Sequence, residues 1–500
     1  MLSVRLLFSC LFFGEALALS GSFWHITDLH WDPTYKLTDN PETVCASSGK
    51  RPALGAGKFG DYACDAPWQL INSSVYAMKK ILPDPDFIVW TGDDTPHVPN
   101  DDLGEEAVIN IIGNLTQIIS QVFPHTKVYS ALGNHDYHPK SQLPPGPNSI
   151  YNKIAEMWHN WLEPASKETF KNGGYYTEKL LNRAGYRILV LNTNLYYNQN
   201  NVTLNDEDPA SQFSWLDQTL TDAAKNKEKV YIIGHVPPGF FEKKRSKTWF
   251  TEKFNQRYLE VIQKHHSIII GQFFGHHHTD SFRMFYSTEG QPISTMFLSP
   301  GVTPWETTLP GVVDGANNPG IRVFEYDTET LLVKVSNSHT KIVSKGLCLH
   351  MFRGNMLSRK DFTCSRLYAL YCLATPMCEQ DVVTYYLNLT HANAETERWE
   401  KEYRLTESFR VPDASPASMH QVLELMATDS CYLQKYYEFN SVSYDLKECD
   451  GDCRVDHVCA AREVDFERYE QCLVKEGAVS MYGGLLLVIS MAATGMLAGW

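Results

Sequence analysis

Positive charge is scarce in this 500-residue chain, where 44 lysines and arginines stand against 58 aspartates and glutamates, a formal net charge of −14. That shortage argues against nucleic acid as a partner, because polyanion binding relies on clustered Lys and Arg to neutralise phosphates. The sequence also lacks internal repeats and nucleic-acid motifs. Charged residues are only 20% of the chain and hydrophobic ones 43%, which excludes the disordered and fibrous classes. What remains is a globular chain, long enough for one large catalytic domain and a smaller one. Cysteine breaks the pattern of scarcity. Twelve are too many for an ordinary cytosolic enzyme and point to an oxidising compartment.

Both ends agree with that compartment. Met-Leu-Ser-Val-Arg, an apolar run from Leu6 to Phe13, and Ala16-Leu-Ala18 read as a secretory signal over residues 1–18, the run being too short for a membrane span. At the other end, Gly477 to Trp500 carries no charged residue and includes Gly483-Gly-Leu-Leu-Leu-Val-Ile-Ser-Met. Small residues followed by a greasy terminus give residues 476–500 the layout of a GPI-attachment signal; a single terminal spanning helix is the alternative. Asn-X-Ser/Thr sites at Asn72, Asn114, Asn201 and Asn388 fit a glycosylated extracellular surface.

Between the ends, short apolar runs recur at Phe23–Ile26, Phe87–Trp90, Val128–Leu132, Tyr186–Leu191, Val230–Ile233, Ile268–Phe274 and Ile321–Tyr326. Helix-like stretches such as Trp68–Ile81 and Glu105–Val122 lie between several of them. Strands alternating with amphipathic helices predict an α/β layered architecture. Five of these strands run into polar ligand types: Asp28-Leu-His30, Gly92-Asp93-Asp94, Gly133-Asn134-His135-Asp136, Gly234-His235 and Gly275-His276-His277-His278. Loops at the carboxyl ends of parallel strands are where such folds build sites. Asp and His supply the oxygen and imidazole ligands that zinc and related ions prefer, and there are enough of them for two ions. In His-X-His, alternate residues of extended chain face one way, so His277 is expected to point away from its two neighbours.

Singly, each motif is a common turn or a structural histidine; in this order, each behind a strand, they are hard to assemble by chance. The series resembles the calcineurin-like metallophosphoesterase family. Phe23-Trp-His-Ile-Thr-Asp-Leu-His30, Trp90-Thr-Gly-Asp-Asp-Thr-Pro-His97, Ala131-Leu-Gly-Asn-His-Asp136 and Gln272-Phe-Phe-Gly-His-His-His278 are similar to its acid sphingomyelinase branch. Gly234-His-Val-Pro-Pro-Gly-Phe-Phe241 and the tail signal resemble the GPI-anchored members of that branch.

The resemblance implies a calcineurin-like fold, a layered β-sheet sandwich flanked by helices over residues 19–334. A small, mainly helical, disulfide-containing domain would follow over 381–475. It implies two zinc ions, one held by Asp28, His30, Asp93 and His278, the other by Asp93, Asn134, His235 and His276. Their shared water would be activated to attack the phosphodiester, and His135, assisted by His97, would protonate the leaving group. Disulfides Cys45–Cys64, Cys449–Cys453 and Cys459–Cys472 are implied in the same way. So are small nucleotide, choline or phospholipid phosphodiesters as substrates, a monomeric state, and an outer-leaflet enzyme restraining innate immune signalling, with membrane receptors as possible partners. A mainly non-catalytic regulatory protein at that leaflet is the alternative. Aromatics in Leu195-Tyr-Tyr197 and Thr303-Pro-Trp305 either line a choline or aromatic pocket or are ordinary packing residues. The lipid-handling module that precedes the catalytic domain in acid sphingomyelinase is not expected here, because the signal reads almost directly into Phe23-Trp-His. Residues 335–380 are basic, hold four cysteines and are left out of the resemblance, which is carried over residues 20–334 and 381–475. They are expected to be an alternative or mispredicted exon forming a poorly ordered surface excursion, a functional insert being the other reading.

Overall fold

The computed structural model describes residues 20–333 and 381–478. The segments read as signal peptide, as basic excursion and, from 479 on, as attachment signal lie outside those residues. No helix among the described residues is long and apolar enough to cross a membrane.

Two six-stranded sheets face each other. The first is built on β1 (Ser20–Ile26), β2 (Phe87–Trp90) and β3 (Lys127–Ser130), which are parallel neighbours. The second contains β4 (Tyr176–Lys179), β5 (Tyr186–Val190), β6 (Lys229–Ile233), β7 (Ile269–Phe274), β8 (Ser281–Tyr286) and β9 (Pro292–Leu298), in the order β4-β5-β6-β7-β9-β8. Its centre, β5-β6-β7-β9, is parallel. β10 (Gly320–Asp327) pairs antiparallel with β1, and β11 (Val382–Leu387) and β12 (Trp399–Arg404) follow it to the edge of the first sheet. Both sheets are therefore mixed, with parallel strands where the ligand motifs lie.

Runs apolar on both faces predict central strands, and Phe87-Ile-Val-Trp90 is buried at every residue. Phe23 shows what joins the layers. Its ring stacks on Phe87 and Phe324 of its own sheet at 4.5 and 5.1 Å, and meets Phe273 of the second sheet edge-on at 5.2 Å. Truncating such a ring costs roughly 3–5 kcal/mol. Helices α1 (Trp68–Ile81) and α2 (Glu105–Val122) bury residues at helical spacing, Leu70, Ile71, Ser74 and Met78 in the first and Val108, Ile111, Ile112, Leu115 and Ile119 in the second.

Trp399–Arg404, inside the region expected to be mainly helical, forms β12 instead. Trp399-Glu-Lys-Glu-Tyr-Arg404 alternates with a period of two, and pairing with β11 decides in favour of that period. Beyond it the chain is helical, with segments at Pro416–Thr428, Ser430–Asn440 and Gly451–Arg462. All three expected disulfides form: Cys45–Cys64, Cys449–Cys453 and Cys459–Cys472. Of the glycosylation sites, Asn114 and Asn201 are exposed and Asn72 and Asn388 half-buried.

Candidate metal centre

The carboxyl ends of β1, β2, β3, β6 and β7 converge from the two sheets, and the loops leaving them are fastened to one another. Asp28 N donates to Gly92 O at 2.9 Å and His30 N to Asp93 O at 3.0 Å, closing the β1 loop on the β2 loop. Asp136 ties the β2 and β3 loops together, its carboxylate accepting from the backbone N–H groups of Gly133 (2.7 Å), Asp94 (2.8 Å) and Asp93 (2.9 Å). Its side chain thus spans two loops. Gly92 and Gly133 permit this approach. Gly92 has φ of 84°, and a side chain at either position would meet the other loop's backbone at about 2.3 Å.

Five of the seven expected ligands sit in the left-handed region: Asp28 (φ 48°), His30 (38°), Asp93 (59°), His276 (73°) and His278 (58°). Such conformations cost about 1–3 kcal/mol each and cluster where a site requires them. The ligating atoms converge in two overlapping groups, Asp28 with His30 and Asp93, and Asp93 with His235 and His276, each with atoms within 4.8 Å of one another. Asp93 belongs to both, as a bridging ligand must. His278 joins the first group, its Nε2 3.6 Å from Asp28 Oδ1 and 3.2 Å from His30 Nε2. His97 stands at the edge of that group, within the same distance of His30 and His278.

Hydrogen bonds fix which nitrogen is available. His30 Nδ1 lies 2.7 Å from Thr95 O and His235 Nδ1 2.7 Å from Thr91 O. A carbonyl only accepts, so both imidazoles carry a proton on Nδ1 and turn Nε2 inward, the second-sphere arrangement of metal-binding histidines. Asn134 Nδ2 points to Ser141 Oγ, which turns Oδ1 inward. Burial, opposed only by nearby carboxylates, holds His30, His276 and His278 well below their ordinary pKa, in the neutral ligating form. His235 goes the other way. Burial lowers its pKa, but Asp93, Asp28 and Asp136 outweigh burial and bring it to about 9.

The residues fit a pair of cations. Asn134 Oδ1, His235 Nε2 and His276 Nε2 are buried without a hydrogen-bond partner, although His235 Nε2 lies 3.1 Å from Asp93 Oδ2. Buried polar atoms left unsatisfied, as Asn134 Oδ1 and His276 Nε2 are, each cost about 1–3 kcal/mol unless something accepts their lone pairs. Asp28, Asp93, Asp94 and Asp136 add four carboxyl groups packed together. Burial first, then neighbouring carboxylates, raises Asp94 well above its usual range and Asp136 to about 6. Positive charge in the centre relieves both problems.

Beside this centre, His97 and His135 have ring centroids 4.4 Å apart. His97 Nδ1 is held by the Asp65 carboxylate at 3.0 Å, and Trp305 stacks on the imidazole at 3.6 Å. Asp65 went unnoticed in the sequence because it follows no strand; the only pointer was its place after Cys64, which the first disulfide pins. His135 N donates to Asp93 Oδ1 at 2.8 Å, while its buried Nδ1 has no partner. Burial holds the His135 imidazole well below its ordinary pKa.

His277 points away as expected. Trp249 Nε1 donates to His277 Nε2 at 2.7 Å, and since an indole N–H can only donate, His277 carries its proton on Nδ1, 3.2 Å from Glu242 Oε2. Glu242 is wholly buried and also accepts from Arg283, from Thr279 Oγ1 and from Asn440 Nδ2 of the C-terminal helices. Trp249 in turn meets the ring of His276 edge-on at 4.4 Å. Leu195 and Tyr196 are core residues, Tyr196 stacking on Phe213. Tyr197 and Trp305 do line the cleft over the centre, a space of about 250 Å³.

Two family models match the chain: Calcineurin-like phosphoesterase over residues 21–280, and Acid sphingomyelin phosphodiesterase C-terminal region over 351–479. The chain is 54% identical over 481 residues to the mouse acid sphingomyelinase-like phosphodiesterase 3b, covering 96% of this chain and 95% of that protein. The human protein of that name is 53% identical over 480 residues, with the same coverage. A human cyclic GMP-AMP phosphodiesterase is 39% identical over 456 residues, covering 91% of this chain and 90% of that one. With its two-group metal centre and these relatives, the chain is a phosphodiester hydrolase that belongs to the calcineurin-like phosphoesterase family, in its acid sphingomyelinase-like phosphodiesterase branch.

Proposed function

We propose that the protein is a dinuclear zinc phosphodiesterase, tethered to the outer membrane leaflet, that hydrolyses small nucleotide- or choline-bearing phosphodiesters. The observation that carries this reading is the convergence of four imidazoles, two carboxylates and one amide oxygen on two groups sharing Asp93. This nitrogen and oxygen donor set suits zinc. Two bound ions would supply an activated water and neutralise phosphate charge as attack proceeds.

Hydrolysis joins a water oxygen to phosphorus and breaks the bond to the leaving oxygen, which must take up a proton. His97 and His135 stand together beside the centre and are the groups able to deliver it. Asp65 fixes the ring and tautomer of His97, directing Nε2 away from the carboxylate. The cleft of about 250 Å³ suits a small substrate better than a two-chain lipid, and the name of the cyclic GMP-AMP relative points to nucleotides. The outer-leaflet location rests on the terminal signals, and a restraining role in innate immunity on the family resemblance.

The test is purification of the full chain with metal analysis and turnover on CDP-choline, ATP and sphingomyelin dispersions. Two zinc ions per chain and detergent-independent turnover of the small substrates are expected; activity on lipid dispersions alone overturns the small-substrate reading, and no turnover at all favours a regulatory protein. His135→Ala should lose most turnover and keep both metals, whereas Asp93→Asn should lose metal as well. A His135→Ala enzyme of near-normal rate removes His135 from the mechanism.

A further inference from the structure

Aromatic side chains line both ends of the cleft, Tyr197, Phe241 and Trp249 near His276 and Trp305 on His97. At the other end, by His97 and His135, stands Lys140, the only lysine or arginine among the described lining residues. Its ammonium donates to Val98 O at 2.7 Å, one residue beyond His97, and its backbone N–H donates to Asn100 Oδ1 at 3.0 Å. An ammonium has three donors, so two remain. Lys140 makes no ion pair among the described residues. Asp65 and Asp93, the carboxylates whose field it feels, are committed to His97 and to the metal centre. Burial depresses the Lys140 pKa against the opposing fields of Asp65 and Asp93. In a chain of net charge −14, an unpaired lysine in the cleft wall is conspicuous.

Resting on the phosphodiesterase reading above, we propose that Lys140 forms an anion subsite for a second phosphoryl group carried by the leaving group. The metal centre would take the scissile phosphate and His97 and His135 the leaving oxygen, and Lys140 lines the same cleft, its ammonium held on Val98 O one residue beyond His97. The ligand class is therefore a pyrophosphate-linked substrate, in which breaking one P–O bond releases a fragment that still bears a phosphate. An alcohol leaving group, as in a choline-headed lipid, gives Lys140 nothing to bind. A charge-assisted contact in a partly buried cleft is worth about 10–100-fold in specificity.

The experiment measures kcat/KM of the metal-loaded full chain for CDP-choline and for bis(p-nitrophenyl) phosphate, whose leaving group carries no second phosphate. In Lys140→Met the ratio of the two values should fall about 10–100-fold, and Lys140→Arg should restore most of it. Because the ratio is taken within one preparation, partial misfolding scales both rates and cancels. Should Lys140→Met be too unstable to assay, Lys140→Gln gives the same comparison. A Lys140→Met ratio within twofold of the unsubstituted enzyme overturns the proposal, as does an equal fall in Lys140→Arg. Failure of the unsubstituted chain to hydrolyse either substrate refutes the phosphodiesterase reading instead, so the two failures are distinguishable.

Discussion

Asp136 offers the sharpest perturbation of the metal centre, because it holds ligand loops together without being an expected ligand. Asp136→Ala removes the acceptor of three buried backbone N–H groups, those of Gly133, Asp94 and Asp93. Hydrogen bonds to a charged group contribute about 1.5–3 kcal/mol each, so the loss of three is roughly 4.5–9 kcal/mol. Against that, burial and Asp93 raise the carboxyl pKa from 3.8 to about 6, so ionising it in place costs roughly 3 kcal/mol, which alanine recovers. The net expectation is about 1.5–6 kcal/mol of destabilisation, a melting point lower by about 1 °C per kcal/mol in a chain of this size, roughly 1.5–6 °C. Since Asp93 serves both ligand groups, both metals should be held more weakly. Asp136→Asn separates the contributions: its amide oxygen can replace Oδ2, which serves Asp93 and Gly133, but its NH₂ would face the Asp94 N–H. It should fall between alanine and aspartate. Metal content after dialysis against a chelator, with thermal melting, reads both effects. An Asp136→Ala protein that keeps two ions and melts within 1 °C of the original would refute the account.

Asp65→Asn keeps the shape beside His97 but loses the charged acceptor, and should lower kcat about 10–100-fold with metal content intact; loss of metal instead would make Asp65 structural. Glu402 has a pKa raised by burial, only partly offset by its bond from Ser443, from 4.5 to about 8. A raised carboxyl pKa means the folded state binds the extra proton, so this stability is complete below about pH 4.5 and is lost as pH rises toward 8, by at most about 1.4 kcal/mol per unit. Urea unfolding of the original and of Glu402→Gln at pH 5 and 7 should show the shallower dependence in the variant, and equal slopes would dismiss the effect. Deletion of residues 334–380 should leave melting, metal content and kcat/KM near their original values. Asp327 N donates to Leu332 O at 3.1 Å and Glu325 N to Asp381 O at 2.7 Å, so Asp381 takes the ladder position next in line after Val333. An inactive or unfolded deletion variant would favour a functional insert.

The ligand set was legible because its chemistry sits where the β pattern ends. In Ile26-Thr-Asp28 or Phe274-Gly-His276, an apolar strand stops and a ligand follows, and parallel topology brings those ends together. Helices α1 and α2 were legible to the residue from their apolar spacing. Asp65, Lys140 and Trp249 were not, because they lie in loops whose partners are remote: Trp305 stacks on His97 across more than two hundred residues. Periodicity reports which face of an element is buried, not what a loop will touch. The same limit hid the β8–β9 hairpin, whose Ser-Phe-Arg-Met-Phe-Tyr buries Arg283 completely. A charged residue in a strand reads as solvent-facing unless its counter-charge, here Glu242 some forty residues earlier, is already known.

That buried pair bears on why the C-terminal region exists. An appended module would meet the catalytic part through a separable surface, but β11 and β12 are the edge strands of the first catalytic sheet. Asn440, in the helix Ser430–Asn440, donates to Glu242 at 2.8 Å and to Asp280 O at 3.1 Å. Glu242 holds His277, His277 holds Trp249, and Trp249 abuts His276. Both histidines flanking His277 are expected metal ligands and sit in left-handed conformations, and a strained loop persists only when its surroundings over-determine it. The C-terminal helices supply part of that determination from the side opposite the cleft. Truncation after the first sheet's β10 should therefore abolish metal binding along with folding, while Asn440→Ala, which leaves Arg283 paired with Glu242, should loosen metal binding with a much smaller loss of stability.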